Sequence, residues 1–252
     1  MKLGRIGILF WMGAFAAAGC NGLGSARDPY GSYKLGPARN TIAAAIDAIG
    51  GVDAWKHVTT VHASALVTAY DEKGTAHVDR QQHVIDLRGG KIAALGVAAR
   101  GTWTADVRDD GTGSVSASGF AMDGESERRI IGSLSRLAHH VRGPLNFLYG
   151  RERGRAPEQV KIGGNELVRV GVDGDNRRAI AYYFDPRSGM LRMMTSGADS
   201  PGKDGTVTLY TYEMLPDGIG LPTRIRVVRI GRHVLVGEQP VMEVEYSNVR
   251  VR

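Results

Sequence analysis

Between residues 58 and 70 the apolar positions fall on every second residue, at Val61, Ala63, Ala65, Val67 and Ala69. A period of two predicts a strand with one buried face, and the DEKG that follows predicts a turn into a second strand at 75–87. The same reading places strands at 91–107 and 113–120. It then marks six later runs: QVKIGG, NELVRVGVDG, RRAIAYYFDPRSGMLRMMTSG, GTVTLYTYEMLPDG, LPTRIRVVRIG and PVMEVEYSNVRV, the third of them a hairpin with two arms. Glycine-containing turns separate these runs at short intervals, so antiparallel pairing between neighbours is expected.

Two stretches carry a helical period instead. In the first, Pro37 suits an opening turn, Ile42, Ala45, Ile46 and Ile49 recur on one face, and Gly50 and Gly51 stop the run, with a short helical turn expected at 52–57. In the second, at 123–150, Asp123 is a candidate N-cap and Glu125 and Glu127 sit in the first turn, where carboxylates complement the helix dipole. Ile130, Leu134, Leu137 and Val141 then form one apolar stripe, which Leu145 and Leu148 extend past a break at Gly143 and Pro144. The expected fold class is therefore α+β, with about eleven strands in one large antiparallel sheet. A sheet of that size curls into an incomplete β-barrel and needs something apolar in its concavity. The long helix would fill it, with the short N-terminal helix beside it.

The first residues follow neither period. Lys2 and Arg5 precede 13 residues, Ile6 to Ala18, that are all apolar or glycine. That run is too short to span a bilayer, which takes ~20 residues, and it matches the core of a secretory signal. Ala17, Ala18 and Gly19 lead to Cys20, the chain's single cysteine, and together they resemble the lipobox of bacterial lipoproteins. The resemblance implies cleavage before Cys20, acylation of its sulfur with palmitate-type chains, and a membrane anchor without a spanning helix. Each buried methylene contributes ~0.8 kcal/mol, so two or three chains suffice. With Asn21 rather than Asp after the cysteine, the enteric sorting pattern implies the outer membrane, facing the periplasm. Three segments are thus expected: a signal at 1–19, an acylated cysteine and Gly/Ser/Pro-rich tether at 20–36, and one domain at 37–252.

Composition adds less. The net charge of +6 falls to +4 once Lys2 and Arg5 leave with the signal. An exported protein with this modest charge meets anionic lipid rather than nucleic acid. If Cys20 carries lipid, no thiol remains for a disulfide or a thiolate metal site.

Several segments resemble the LolA/LolB-like superfamily of lipoprotein carriers and sorting proteins: AIGGVDAWKHV, YYFDPRSGMLRMM, GIGLPTRIRV and VEYSNVRV. The resemblance covers nearly all of 37–252. It implies an incomplete barrel wrapped around helices, enclosing an apolar cavity for acyl chains or other hydrophobic ligands. The candidate cavity residues are Ile130, Leu134, Leu137, Val141, Leu145 and Leu148, with Met190, Met193 and Met194 as soft, adaptable additions on one hairpin arm. Each also suits plain core, so the cavity reading rests on the fold rather than on any one residue.

Candidate chemistry is sparse. His77, Asp79, Gln81 and His83 share one strand face, but the two histidines are ~20 Å apart on an extended strand, too far to share an ion. That face is expected to be solvated. His139 and His140 are helical neighbours that point about 100° apart, and one of them is expected to cap the last turn. The arginines Arg151, Arg153, Arg155, Arg224, Arg226, Arg229 and Arg232 alternate with apolar residues or sit in a turn, and are expected in water. No nucleophile elbow, zinc-protease motif, Walker loop or dinucleotide fingerprint occurs. The expectation is a monomeric, non-enzymatic lipoprotein without metal or cofactor, binding a lipid or a lipoprotein's acyl chains. The alternative is a protein-interaction or envelope-stress sensor module of the same fold with a filled core.

Overall fold

The computed structural model describes residues 28–71, 73–150, 152–173, 180–197, 205–230 and 236–252. Cys20, the signal and the first part of the tether lie outside them. The last part of the expected tether belongs to the domain. Tyr30 and Leu35 are buried, and Tyr30 OH donates to Asp47 Oδ1 at 2.6 Å. Two large apolar side chains gain enough from burial to offset the ordering of the glycines around them, so the domain begins before Pro37.

A 3-10 turn at Gly36–Ala38 opens into α1 (Arg39–Ala48), and α2 (Gly51–Trp55) follows. Ile42, Ala45 and Ile46 form the buried face of α1. Gly50 ends it at φ +116°, and a Cβ there would stand 2.7 Å from the Gly218 carbonyl, so backbone meets backbone where only glycine fits. Trp55 is fully enclosed and donates its Nε1–H to the Ile49 carbonyl at 2.9 Å.

Five strands form a first meander: β1 (Thr60–Tyr70), β2 (Ala76–Asp86), β3 (Lys91–Ala98), β4 (Gly101–Arg108) and β5 (Gly113–Ser118). Then come α3 (Gly124–Arg142) and α4 (Leu145–Leu148). The remaining strands are β6 (Arg153–Gly154), β7 (Glu158–Ile162), β8 (Asn165–Asp173), β9 (Ile180–Phe184), β10 (Leu191–Ser196), β11 (Gly205–Met214), β12 (Gly220–Ile230) and β13 (Val236–Val251). The run at 91–107, read as one strand, is two, because Ala99 and Arg100 make a tight turn inside it. That division and the two-residue β6 raise the eleven expected strands to thirteen among the described residues.

All thirteen lie in one antiparallel sheet, ordered β5-β4-β3-β2-β1-β13-β12-β11-β10-β9-β8, with β6 and β7 both along the outer edge of β8. The last strand is the seam. β13 pairs with β1 from Val61↔Val251 to Ala69↔Met242 and with β12 on its other side, joining the first meander to the second. The sheet curves but does not close: β5 and the β6–β7 pair remain its two edges.

The inner face holds the core. Val61, Ala63, Ala65 and Val67 of β1 are buried alongside Ile92 and Ala94 of β3 and Trp103, Ala105 and Val107 of β4. α3 lies across β3, β4, β5 and β12, capped as expected by Asp123, whose Oδ1 accepts from Ser126 N at 2.7 Å. Its first buried residue is Leu134; from Val141 through Leu148 every residue is buried. On β3, Gly96 pairs with Trp103, and a Cβ at Gly96 would stand 2.1 Å from the indole. The missing side chain leaves room for the ring. Gly96→Ala should therefore destabilise the fold by about 1–3 kcal/mol through overpacking and red-shift the tryptophan emission. An unchanged urea midpoint would show that the indole has room to move.

Candidate ligand-binding interior

Eight of the nine apolar candidates meet at one core. Leu134, Leu137, Val141, Leu145, Leu148 and Met194 are buried in it, and Ile130 and Met190 pack partly covered at its margin. Met193 does not join them. It lies with Leu167, Ala181 and Tyr183 in a second, smaller cluster. Side chains alternate across a strand, so Met194, opposite Tyr182, points inward and Met193, opposite Tyr183, points outward. Met193 there helps to line an open hollow of about 810 Å³ between the β7–β8 hairpin and the β9–β10 turn, with Ile162, Leu167, Pro186, Arg192 and Leu209.

Toward the N-terminal half of α3 the apolar lining is incompletely covered. Val115, Phe120, Met122, Ile130 and Ile131 are only partly buried, all beside the edge strand β5. Toward its C-terminal half the interior becomes polar. His140 is buried, with Nδ1 3.2 Å from Tyr210 OH and Nε2 3.4 Å from Thr208 Oγ1. His139 Nε2 lies 3.3 Å from Tyr182 OH and 3.6 Å from Glu152 Oε1. Asn146, fully buried, donates to Tyr182 OH at 3.2 Å and to the His139 carbonyl at 3.1 Å. Arg142, also enclosed, pairs with Asp109 of the β4–β5 turn and donates Nε–H to the Ala138 carbonyl at 3.1 Å.

One of the two histidines was expected to cap the last turn; His140 does not, since both its ring nitrogens face strand side chains, and Gly143 N–H reaches the His140 carbonyl at 3.1 Å. Leu137, Ala138, His140, Val141 and Arg142 are buried here, so part of the polar face of α3 is covered along with its apolar one. The strand read as a solvated face is corrected too. His77 is exposed, but Gln81 and His83 turn inward with Ile85, and His83 bridges Gln81 Oε1 at 2.7 Å and Tyr246 OH at 3.3 Å. The alternation was read correctly but given to the wrong side. The arginine expectation holds where it is described: Arg224 and Arg226 are exposed and pair across strands with Glu245 and Glu243 at 3.4 and 2.8 Å. Arg151 and Arg232 lie outside the described residues.

Burial governs the charges inside. It pushes Glu152 up to about 7, against the opposing hydrogen bond of Tyr182 and the charge of Arg142. It lowers His83 to about 4, and it holds His140 well below the usual imidazole range with help from His139 and Arg136. Tyr182 and Tyr210 are held above the usual phenol range for the same reason. Among the described residues, no group of three or more His, Cys, Asp or Glu is placed to hold a metal ion, and no helix is long and apolar enough to cross a membrane.

No family model matches the chain, and no curated protein matches it in sequence. Solved structures do match it. A DUF1329 family protein from Desulfovibrio piger aligns over 86% of this chain and 93% of its own, with 11% identity and a TM-score of 0.51. The chain shares the fold of that protein. A LolA superfamily protein from Nitrosomonas europaea, NE2245, aligns over 86% of this chain and 94% of its own at 11% identity, with a TM-score of 0.49. Likeness at this identity concerns the fold alone.

Two outcomes test the interior. As pH falls from about 6.5 to about 4, the unfolded chain protonates His83 before the folded one does, so stability should drop by up to ~3 kcal/mol at about 1.4 kcal/mol per unit. His83→Gln should lack this loss when urea midpoints at pH 7 and 4.5 are compared; an equal loss in the variant would assign it to another group. Asp109→Asn should cost about 3–5 kcal/mol at pH 7, because it leaves the enclosed Arg142 charge uncompensated. A near-neutral midpoint would place that guanidinium in contact with water.

Proposed function

We propose that this chain is an exported, lipid-anchored envelope protein whose LolA-like domain holds a hydrophobic ligand, a lipid or the acyl chains of a lipoprotein, between α3 and the sheet. The observation that carries the reading is the incomplete cover at the β5 edge. The sheet is open there, and Val115, Phe120, Met122, Ile130 and Ile131 continue the core into partial exposure. A hydrocarbon chain laid on them would leave water for the inner face, at roughly 25 cal/mol per Å² of apolar surface covered. Leu134, Leu137, Val141 and Met194 would form its floor. The proposed anchor is Cys20, which would keep such a site within one short tether of a membrane. The buried histidines are each engaged with tyrosines or Gln81, an arrangement that supports binding rather than catalysis.

One observation favours a second reading, a protein-interaction module. The hollow of about 810 Å³ on the outer face is bordered by the exposed β7–β8 hairpin and does not involve the interior. Native mass spectrometry separates the two. A ligand-binding domain should carry copurifying lipid, and Ile130→Glu with Ile131→Glu should remove most of it; a consistently lipid-free protein would leave the outer face as the working surface. The anchor has an independent measure: Cys20→Ser should abolish incorporation of labelled palmitate and release the protein from membranes, and unchanged labelling would reject it.

A further inference from the structure

Glu152 sits directly before β6, and its side chain is 7% exposed. Of its two oxygens, Oε1 lies 3.6 Å from His139 Nε2, and Oε2 has no hydrogen-bond partner. The titratable and charged groups that face it are His139 and Arg142 from α3, Asp109 from the β4–β5 turn, Tyr182 from β9 and Tyr210 from β11. Arg142 is already committed to Asp109, so its charge is largely compensated. The partner left to balance a Glu152 charge is His139.

Proton count then decides the state of the pair. With one proton, the pair is neutral overall, whether as carboxylic acid beside imidazole or as carboxylate beside imidazolium. Without it, a carboxylate remains among apolar and phenolic groups with one oxygen unpartnered, and burying an unpaired charge is strongly unfavourable. Moving its own segment outward would return the carboxylate to water. That segment is weakly held: β6 pairs with β8 through Arg153↔Asp173 and Gly154↔Val172, followed by Arg155 N donating to the Gly171 carbonyl at 2.8 Å. It also matters to the rest of the fold. A Cβ on Gly154 would stand 2.8 Å from Ala38 Cβ and 2.9 Å from Ile42 Cδ1, so the N-terminal helical layer rests directly on it.

We propose that Glu152 and His139 form a proton-operated clasp: one proton held between them keeps residues 152–155 docked on β8, and loss of that proton frees this edge of the sheet. Burial drives Glu152 from 4.5 up to about 7, so docking weakens as pH rises through that interval and levels off above it. An exported domain would experience external pH directly, so the clasp would couple access along the β6 edge to the medium. The inference does not depend on the ligand reading, since it concerns the docking of the edge whatever the interior holds.

Hydrogen–deuterium exchange of the full chain at pH 6.0 and 8.5, corrected for intrinsic base-catalysed exchange, tests it at the Arg155 amide. Protection should fall about tenfold at pH 8.5 in the wild type, while amides of β1 keep theirs. Glu152→Gln should stay protected at both values, and Glu152→Met provides a second neutral side chain should the first fail to fold. Equal wild-type protection at both values would overturn the clasp. So would an equal fall in the neutral variants, or a fall shared by β1, which would mark global loosening.

Discussion

The rest of the structure depends on the enclosure of the C-terminal half of α3 by the inner face of an open sheet. A thirteen-stranded curved sheet presents more apolar surface than its own strands can cover. The helix supplies the missing layer, and Leu134, Leu137 and Val141 meet the strands directly. Enclosure has a second effect. A helix has a back as well as a front, and over the last turns of α3 part of the back is buried as well. His140 and Arg142, with Asn146 of α4, therefore become interior groups that need partners, and His139 is half-covered beside them.

Those partners come from all along the chain: Asp109 from the first meander, Tyr182, Thr208 and Tyr210 from the second, and Glu152 from the connection between them. The polar groups thus tie together the same parts that β13 joins through its backbone. The resulting interior is graded. It is polar and closed at the α3–α4 junction, apolar in the middle, and apolar but partly open beside β5. A hydrophobic guest suits the open end, whereas the closed end gathers the titratable groups. These two properties sit on one helix, about two turns apart.

Much of the framework was legible from local pattern. The period of two in β1 and the stripe Leu134, Leu137, Val141 identified buried faces correctly, because burial of one face leaves its period in the sequence. Asp123 was legible as a cap because its role involves only the next three residues. Harder cases shared one cause. Gln81, His83 and His139 look like water-facing residues, and nothing local records that a strand or helix from elsewhere will cover them. The only available signal was that His83 keeps step with Ile85. Met193 and Met194 were read as one group although adjacent strand residues must diverge.

By itself, the sequence determined the type and order of nearly every element, the breaks at Gly50 and Pro144, the amphipathic character of α3, and an N-terminus whose lone cysteine follows a short oily run. Only the tertiary structure decided which side of each strand faces inward, that Tyr30 and Leu35 belong to the domain, and that Glu152 meets His139. The reason is range. Periodicity, caps and turns arise from interactions within a few residues, while burial and pairing arise from contacts between segments many residues apart, and the chain reveals those only once it has folded.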